Sequence, residues 1–281
     1  MKSIENLTGI RLKGQPLLTP KNDIVIEDGD TRVPLLFLVD ISDSMKSALP
    51  TINETLTTLM QDICNSEGEV KYIVDFSIIT FGGNGVVVAR EFDLLKKDEV
   101  FQIVECKGMT PLGEAMLQAY HYGFKRKQMY KKEGLTNYNQ PTVVLITDFQ
   151  ENNSPDVVID NRNIEGNSLY YAMAELYTEA FSETLKQFTY SIPLGSVDAE
   201  KSNKLKVAKV NDGNVDIARA LIRVVSEYTA SVAQVTETNV LEMVAALSED
   251  STEEIVVDDS IRVEDWQRKQ RAKYNIFDEE D

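Results

Sequence analysis

Histidine, cysteine and tryptophan are almost missing from this chain: its 281 residues include one His, two Cys and one Trp. A single histidine, His121, excludes a His-rich zinc site. With no G-x-S-x-G elbow in the sequence, a Ser-His-Asp triad through His121 has no support. Cys64 and Cys106 have neither C-x-x-C spacing nor histidine partners, so they are expected to be buried, reduced thiols. Cations are scarce as well: 29 Lys and Arg stand against 46 Asp and Glu, a formal net charge of −17. Broad contact with nucleic acid needs a positive surface that displaces counterions, and an anionic membrane surface makes the same demand. Neither suits this charge, whereas a metal cation or a basic partner does. No run approaches the ~18 apolar residues of a transmembrane helix, and the opening MKSIENLTGIRLKGQPLL lacks the apolar segment of a signal peptide. The expectation is a cytoplasmic protein with an acidic surface.

What the chain does have is enough apolar material for a sizeable core, 42% of its residues. Residues 1–30 are polar and broken by Gly14, Pro16, Pro20 and Gly29, which suggests an extension with a short strand at Ile24–Ile26. The run VPLLFLV at Val33–Val39 does not alternate, as expected of a strand buried on both faces. It stops at Asp40, and apolar residues then recur with helical spacing from Leu49 to Ile63. Two further strands, Tyr72–Phe81 and Val86–Phe92, flank the turn Gly82-Gly83-Asn84-Gly85 and must therefore be antiparallel. A helix is expected over Leu112–Met129, a buried strand over Thr142–Thr147 and an Asn/Asp-rich loop after Asp148. Beyond these come a helix over about Ser168–Phe188, short strands at Tyr190–Leu194 and within Asn203–Val210, and a long helix at Val215–Val235. This order predicts an α/β fold, a doubly wound, mostly parallel sheet with one antiparallel edge strand. Ligands of such sheets bind beyond the carboxyl ends of the strands, where Asp40 and Asp148 both fall.

Asp40, Ser42 and Ser44, in VDISDSM, put one carboxylate and two hydroxyls on a tight strand-to-helix turn. Hard divalent cations such as Mg²⁺ take about six oxygens in an octahedron, and three positions are offered here. Thr110 in GMTPLGEAM adds a hydroxyl just before a helix, and Asp148 in LITDFQ adds a carboxylate at the same sheet edge. Taken singly, each residue has a plainer role: Ser42 or Ser44 as a helix cap, Thr110 as an N-cap before Pro111, Asp148 as an acceptor for loop amides. Their joint occurrence favours a metal.

In these residues, from about Val33 to Val235, the chain resembles the von Willebrand factor A domain and its metal-ion-dependent adhesion site. That motif is D-x-S-x-S followed by a distant Thr and a distant Asp, here Asp40, Ser42, Ser44, Thr110 and Asp148. The resemblance extends to the strand FSIITF and to SIPLG, and is strongest toward the intracellular bacterial branch that includes TerY-type proteins of tellurite resistance. It implies a bound Mg²⁺, with Mn²⁺ or Ca²⁺ as alternatives, and a protein partner that supplies an acidic side chain to the metal. Two positions depart from the family pattern: Asp43 stands between the serines where a small residue is usual, and Phe149 follows Asp148 where glycine is usual. Both are expected at the rim, in reach of a partner.

Residues 236–281 form a third region. From Glu249 to Asp281 twelve acidic residues face five basic ones, and Trp266 lies in IRVEDWQRKQRAKY. A solvated acidic tail is the plain expectation; a docking peptide anchored by Trp266 is the sharper one. Three functions follow. The first is a metal-dependent binding module that assembles complexes in stress response or defence. The second is a metal-dependent phosphatase or other hydrolase, for which Ser42 stands where a haloacid-dehalogenase-type phosphatase needs an acid. The third is a scaffold acting through its tail. The first is the expectation, and no enzymatic activity is assigned.

Overall fold

The computed structural model describes residues 11–12, 16–26, 30–65, 70–97, 99–138, 141–159, 162–181, 188–193, 197–205 and 208–209. In chain order the elements are β1 (Arg11–Leu12), β2 (Thr31–Asp40), a 3₁₀ turn at Asp43–Ser47, α1 (Leu49–Asn65), α2 (Val70–Ile73), β3 (Val74–Gly82) and β4 (Gly85–Leu94). Next come α3 (Leu112–Lys132), β5 (Asn137–Tyr138), β6 (Thr142–Thr147), β7 (Val157–Ile159) and β8 (Arg162–Ile164). The last are α4 (Gly166–Phe181), β9 (Phe188–Pro193), α5 (Ala199–Lys204) and β10 (Ala208–Lys209).

Seven strands form the main sheet in the order β10-β9-β6-β2-β3-β4, with β5 also paired to β2. Every pairing is parallel except that of β3 with β4, which the Gly82–Gly85 turn forces to be antiparallel. The fold is thus the mixed, mostly parallel α/β sheet that the sequence predicts. The non-alternating run in β2 is explained by its central place: Leu35, Leu36, Phe37, Leu38 and Val39 are all 0% exposed. Pro34 is tolerated in this central strand because pairing with β6 starts one residue later, at Leu35↔Thr142.

The chain leaves β2 through α1 toward β3 and leaves β6 through α4 toward β9, in opposite directions along the sheet. Right-handed crossovers in opposite directions place α1 and α4 on opposite faces. The carboxyl ends of β2 and β6 therefore flank the topological switch point, where open α/β sheets bind ligands. Register fixes the level of the two ends: Val39 pairs with Ile146, so Asp40 and Thr147 stand side by side.

The expected strand at Ile24–Ile26 is not formed, and Val25 is 79% exposed. The N-terminal pairing lies earlier, where β1 joins β7 and β8 in a separate three-stranded sheet. That small sheet also adds two short strands after the Asn/Asp-rich loop expected beyond Asp148. Arg162 and Asn163 are exposed in β8, so no apolar alternation marks the strand in sequence. The N-terminal segment is instead held from the sides: Arg126 donates to Asn22 O at 2.8 Å, and Leu18 N donates to Gln118 Oε1 at 2.7 Å. The expected elements beyond residue 209, the long helix at 215–235 and the segment with Trp266 included, lie outside the described residues. Among the described residues no helix is long and apolar enough to cross a membrane.

Candidate metal centre

Four of the five proposed ligands are sunk into the sheet edge: Asp40 and Asp148 are 0% exposed, Ser42 1% and Thr110 2%. Ser44 is exposed. The set therefore runs from a buried floor to the surface. Asp40 is oriented by two donors, Ser42 N to Oδ1 at 2.9 Å and Thr147 Oγ1 to Oδ2 at 2.7 Å. The Ser42 and Ser44 hydroxyls lie 3.1 Å apart, at the start of the 3₁₀ turn that the D-x-S-x-S spacing forms.

Three loops are stitched together here. The first loop meets the third strand's end through Ile41 N to Phe81 O at 2.8 Å. It meets the 107–111 loop through Asp43 N to Gly108 O at 3.0 Å and Lys107 N to Ile41 O at 2.7 Å. Gly108, with φ +72°, lies so close to Gly83 that a Cβ on it would be 2.3 Å from Gly83 Cα. The 107–111 loop meets the third loop through residue 152. Thr110 N donates to Asn152 Oδ1 at 2.7 Å, and Asn152 N donates to Thr110 O at 2.8 Å. Glu151 accepts from Gly113 N at 2.5 Å, which satisfies an amide in the first turn of α3 where Pro111 offers no side-chain cap.

The electrostatics of the floor are unfavourable to a bare carboxylate. Burial pushes the Asp40 carboxyl up to about 6, opposed by its hydrogen bonds from Ser42 and Thr147 and reinforced by the nearby charge of Asp148. Asp148 Oδ1 accepts Gln150 N at 3.0 Å, but its Oδ2 is buried with no hydrogen-bond partner. An orphaned carboxylate oxygen in a dry site is costly, and a cation is the group that fits it. Two carboxylates and several hydroxyls suit a hard divalent ion such as Mg²⁺. Among the described residues no cluster of three or more His, Cys, Asp or Glu side chains forms a conventional metal site, and the candidate set differs from that type by its reliance on hydroxyls. Burial pushes the Cys106 thiol up to about 11. His121 lies along α3, its imidazole pushed down to about 4, chiefly by burial.

Of the two departures in the motif, Asp43 is at the surface as expected, 2.6 Å from Lys46 Nζ, and this hydrogen bond holds its carboxyl below the usual range. Its charge is thereby partly offset. Phe149 is not at the rim. It is 0% exposed and has φ +62°. The backbone after Asp148 takes the left-handed conformation that glycine adopts freely, and here phenylalanine accepts that conformation while its ring fills the core. Phe149 is therefore withdrawn as a partner contact. Trp266 lies outside the described residues.

Thr147 and Asn152 are not singled out by the sequence, and Glu151 stands there only as a general base for the hydrolase reading, without support. Thr147 has one signal, its place at the end of a buried strand beside Asp148. Asn152 has none, since its partner is 42 residues away, and the Glu151 contact spans 38 residues.

No curated protein sequence matches the chain significantly. Among solved structures, the chain is similar to the pilus adhesin SpaC from Lactobacillus rhamnosus GG in its open conformation, at 12% identity and a TM-score of 0.49, covering 79% of this chain and 34% of SpaC. It is similar to the manganese-loaded TRAP protein of Plasmodium vivax at 14% identity and a TM-score of 0.40, covering 65% of each chain. The SpRpn10 VWA domain is similar at 11% identity and a TM-score of 0.38, with 65% of this chain and 84% of that one covered. The chain thus spans about a third of SpaC and two thirds of TRAP, and these likenesses carry no functional argument. The family model for the von Willebrand factor type A domain, in contrast, matches residues 35–260, most of the sequence. That match spans the strand ending in Asp40, the Thr110 loop and the strand ending before Asp148, and the chain belongs to the von Willebrand factor type A domain family.

Proposed function

We propose that this protein is a metal-dependent protein-binding module. Asp40, Ser42, Ser44, Thr110 and Asp148 hold a Mg²⁺ ion, with Mn²⁺ or Ca²⁺ as substitutes. The single observation that carries the reading is the buried, partnerless Oδ2 of Asp148 at the same sheet edge as the desolvated Asp40. Two carboxylates leave a divalent ion electrophilic, and an acidic side chain of a partner protein completes its coordination from the open side, where Ser44 is exposed. The Asp43–Lys46 pair stands at that opening and tunes which acidic partner is accepted. A cytoplasmic location is proposed from the lack of a signal-peptide segment or long apolar run in the sequence, and kinship with TerY-type proteins with a role in stress response or tellurite resistance from the sequence resemblance.

Titration calorimetry with Mg²⁺ or Mn²⁺ tests the first half. The wild type is expected to bind and Asp40→Ala to lose binding; equal binding by both sinks the metal assignment. A pull-down with and without EDTA tests the second. Capture that survives EDTA but disappears on truncation after Ser248 transfers the function to the acidic tail. Hydrolysis of a phosphate ester that is abolished in Asp40→Ala establishes an enzyme instead.

A further inference from the structure

We infer that Asn152 is a positioning residue for the metal centre, locking Thr110 to the loop of Asp148 so that ligands from two loops act as one unit. The inference rests on the metal reading above. Thr110 needs such a lock. It lies between Gly108, whose φ is +72°, and Pro111, outside any helix or strand. Both of its backbone groups meet Asn152: its N–H donates to Asn152 Oδ1 at 2.7 Å, and its carbonyl accepts Asn152 N at 2.8 Å beside Leu112 N at 2.9 Å. Two bonds between the same two residues fix rotation as well as distance. The far end of the lock is the metal ligand itself, because Asn152 follows Asp148 closely in the chain and Gln150 N holds Asp148 Oδ1 at 3.0 Å. Glu151, between them, ties the same loop to α3 through Gly113 N and to Ser154 N at 3.3 Å. The loop of Asp148 is thereby coupled to Thr110 through Asn152. A neutral hydroxyl is a weak ligand whose value depends on placement, and residues that orient metal ligands typically change affinity by roughly 10–100-fold. Asn152 is itself exposed, so water replaces part of the lost acceptor and the effect falls near the lower bound.

The test is Mn²⁺ calorimetry on the full chain for wild type, Asn152→Ala, Thr110→Ala and the double variant, with urea melts in EDTA for each. Asn152→Ala is expected to bind about 10-fold more weakly than wild type. In the Thr110→Ala background the same change is expected to cost nothing further, because the group it positions is gone. A merely structural role predicts additive losses, and that result overturns the proposal. So does unaltered Mn²⁺ affinity in Asn152→Ala while wild type binds. Absence of Mn²⁺ binding by wild type removes the metal reading itself, and the positioning role with it. If Asn152→Ala melts in EDTA below the assay temperature, Asn152→Ser, with a shorter acceptor, takes its place under the same criteria.

Discussion

Asp75 lies near the amino end of β3, while Asp40 and Asp148 stand at the carboxyl ends of β2 and β6. All three are at most 1% exposed, and their surroundings differ completely. Arg126 grips Asp75 with Nε at 2.6 Å and Nη2 at 3.3 Å, and Tyr130 adds its hydroxyl. Arg126 is further enclosed by the Phe92 and Tyr130 rings, with its guanidinium carbon 5.6 and 5.5 Å from their centroids. At the opposite edge no arginine or lysine faces the floor carboxylates in a salt bridge among the described residues, and one oxygen of Asp148 has no partner. One end of the sheet supplies its own cation from the sequence. The other supplies none among the described residues. A buried carboxylate is thus a structural group in the first place and a candidate functional group in the second, and the neighbours decide which.

The contrast is most exposed to test at Asp75. Arg126→Ala leaves that carboxylate buried and unpaired, and a loss of about 3–5 kcal/mol in urea unfolding is expected. Asp148→Asn, measured in EDTA, is expected to leave stability unchanged or higher, because it removes a charge that had no partner; a comparable loss erases the distinction between the two ends.

Phe149 sharpens it next. Phe149→Ala gives up a buried ring at a cost of about 3–5 kcal/mol and keeps a side chain in the left-handed conformation. Phe149→Gly loses the same ring but relieves about 1–2 kcal/mol of backbone strain. The glycine variant is therefore expected to be the more stable of the two in urea melts, the reverse of the usual order.

Metal comes third. Mg²⁺ at about 100 times its Kd is expected to stabilise the wild type by about 2.7 kcal/mol, seen as a rise in Tm that Asp40→Asn abolishes.

The pH dependence follows from Asp40, whose carboxyl is pushed up by burial from its ordinary value of 3.8 to about 6 in the folded protein. A raised carboxyl favours the metal-free fold below about 4, and this contribution is lost as pH rises through about 6. Metal binding has the opposite sign, since it needs the ionised form. Mg²⁺ affinity is expected to fall as pH drops below about 6, in calorimetry at constant ionic strength. The smallest effect belongs to Lys46→Ala: its exposed pair with Asp43 adds little to stability, so Tm stays unchanged while metal or partner affinity shifts.

The two candidate carboxylates were legible because they sit at strand ends. The apolar run to Val39 and TVVLIT each stop at an aspartate, and a parallel sheet puts such stops at one edge. Phe149 was misplaced because sequence shows residue type and not φ: a large residue after Asp148 suggested a rim, whereas the left-handed turn directs the ring into the core. The β7–β8 hairpin was missed because Val157–Ile159 and Arg162–Ile164 are three residues each, too short for a period, and their third strand comes from Arg11–Leu12.

The sequence by itself determined the order of the longer strands and helices, the antiparallel edge at Gly82–Gly85 and the five candidate oxygen ligands, since each is a local pattern of apolar spacing, turn residues or motif. Only the tertiary structure decided which carboxylate keeps an internal cation and which does not. Arg126 is 51 residues from Asp75 and Asn152 is 42 from Thr110. Such pairings depend on which strands and loops the sheet brings side by side, and that order is set by crossover handedness and register rather than by any neighbouring residue in the chain.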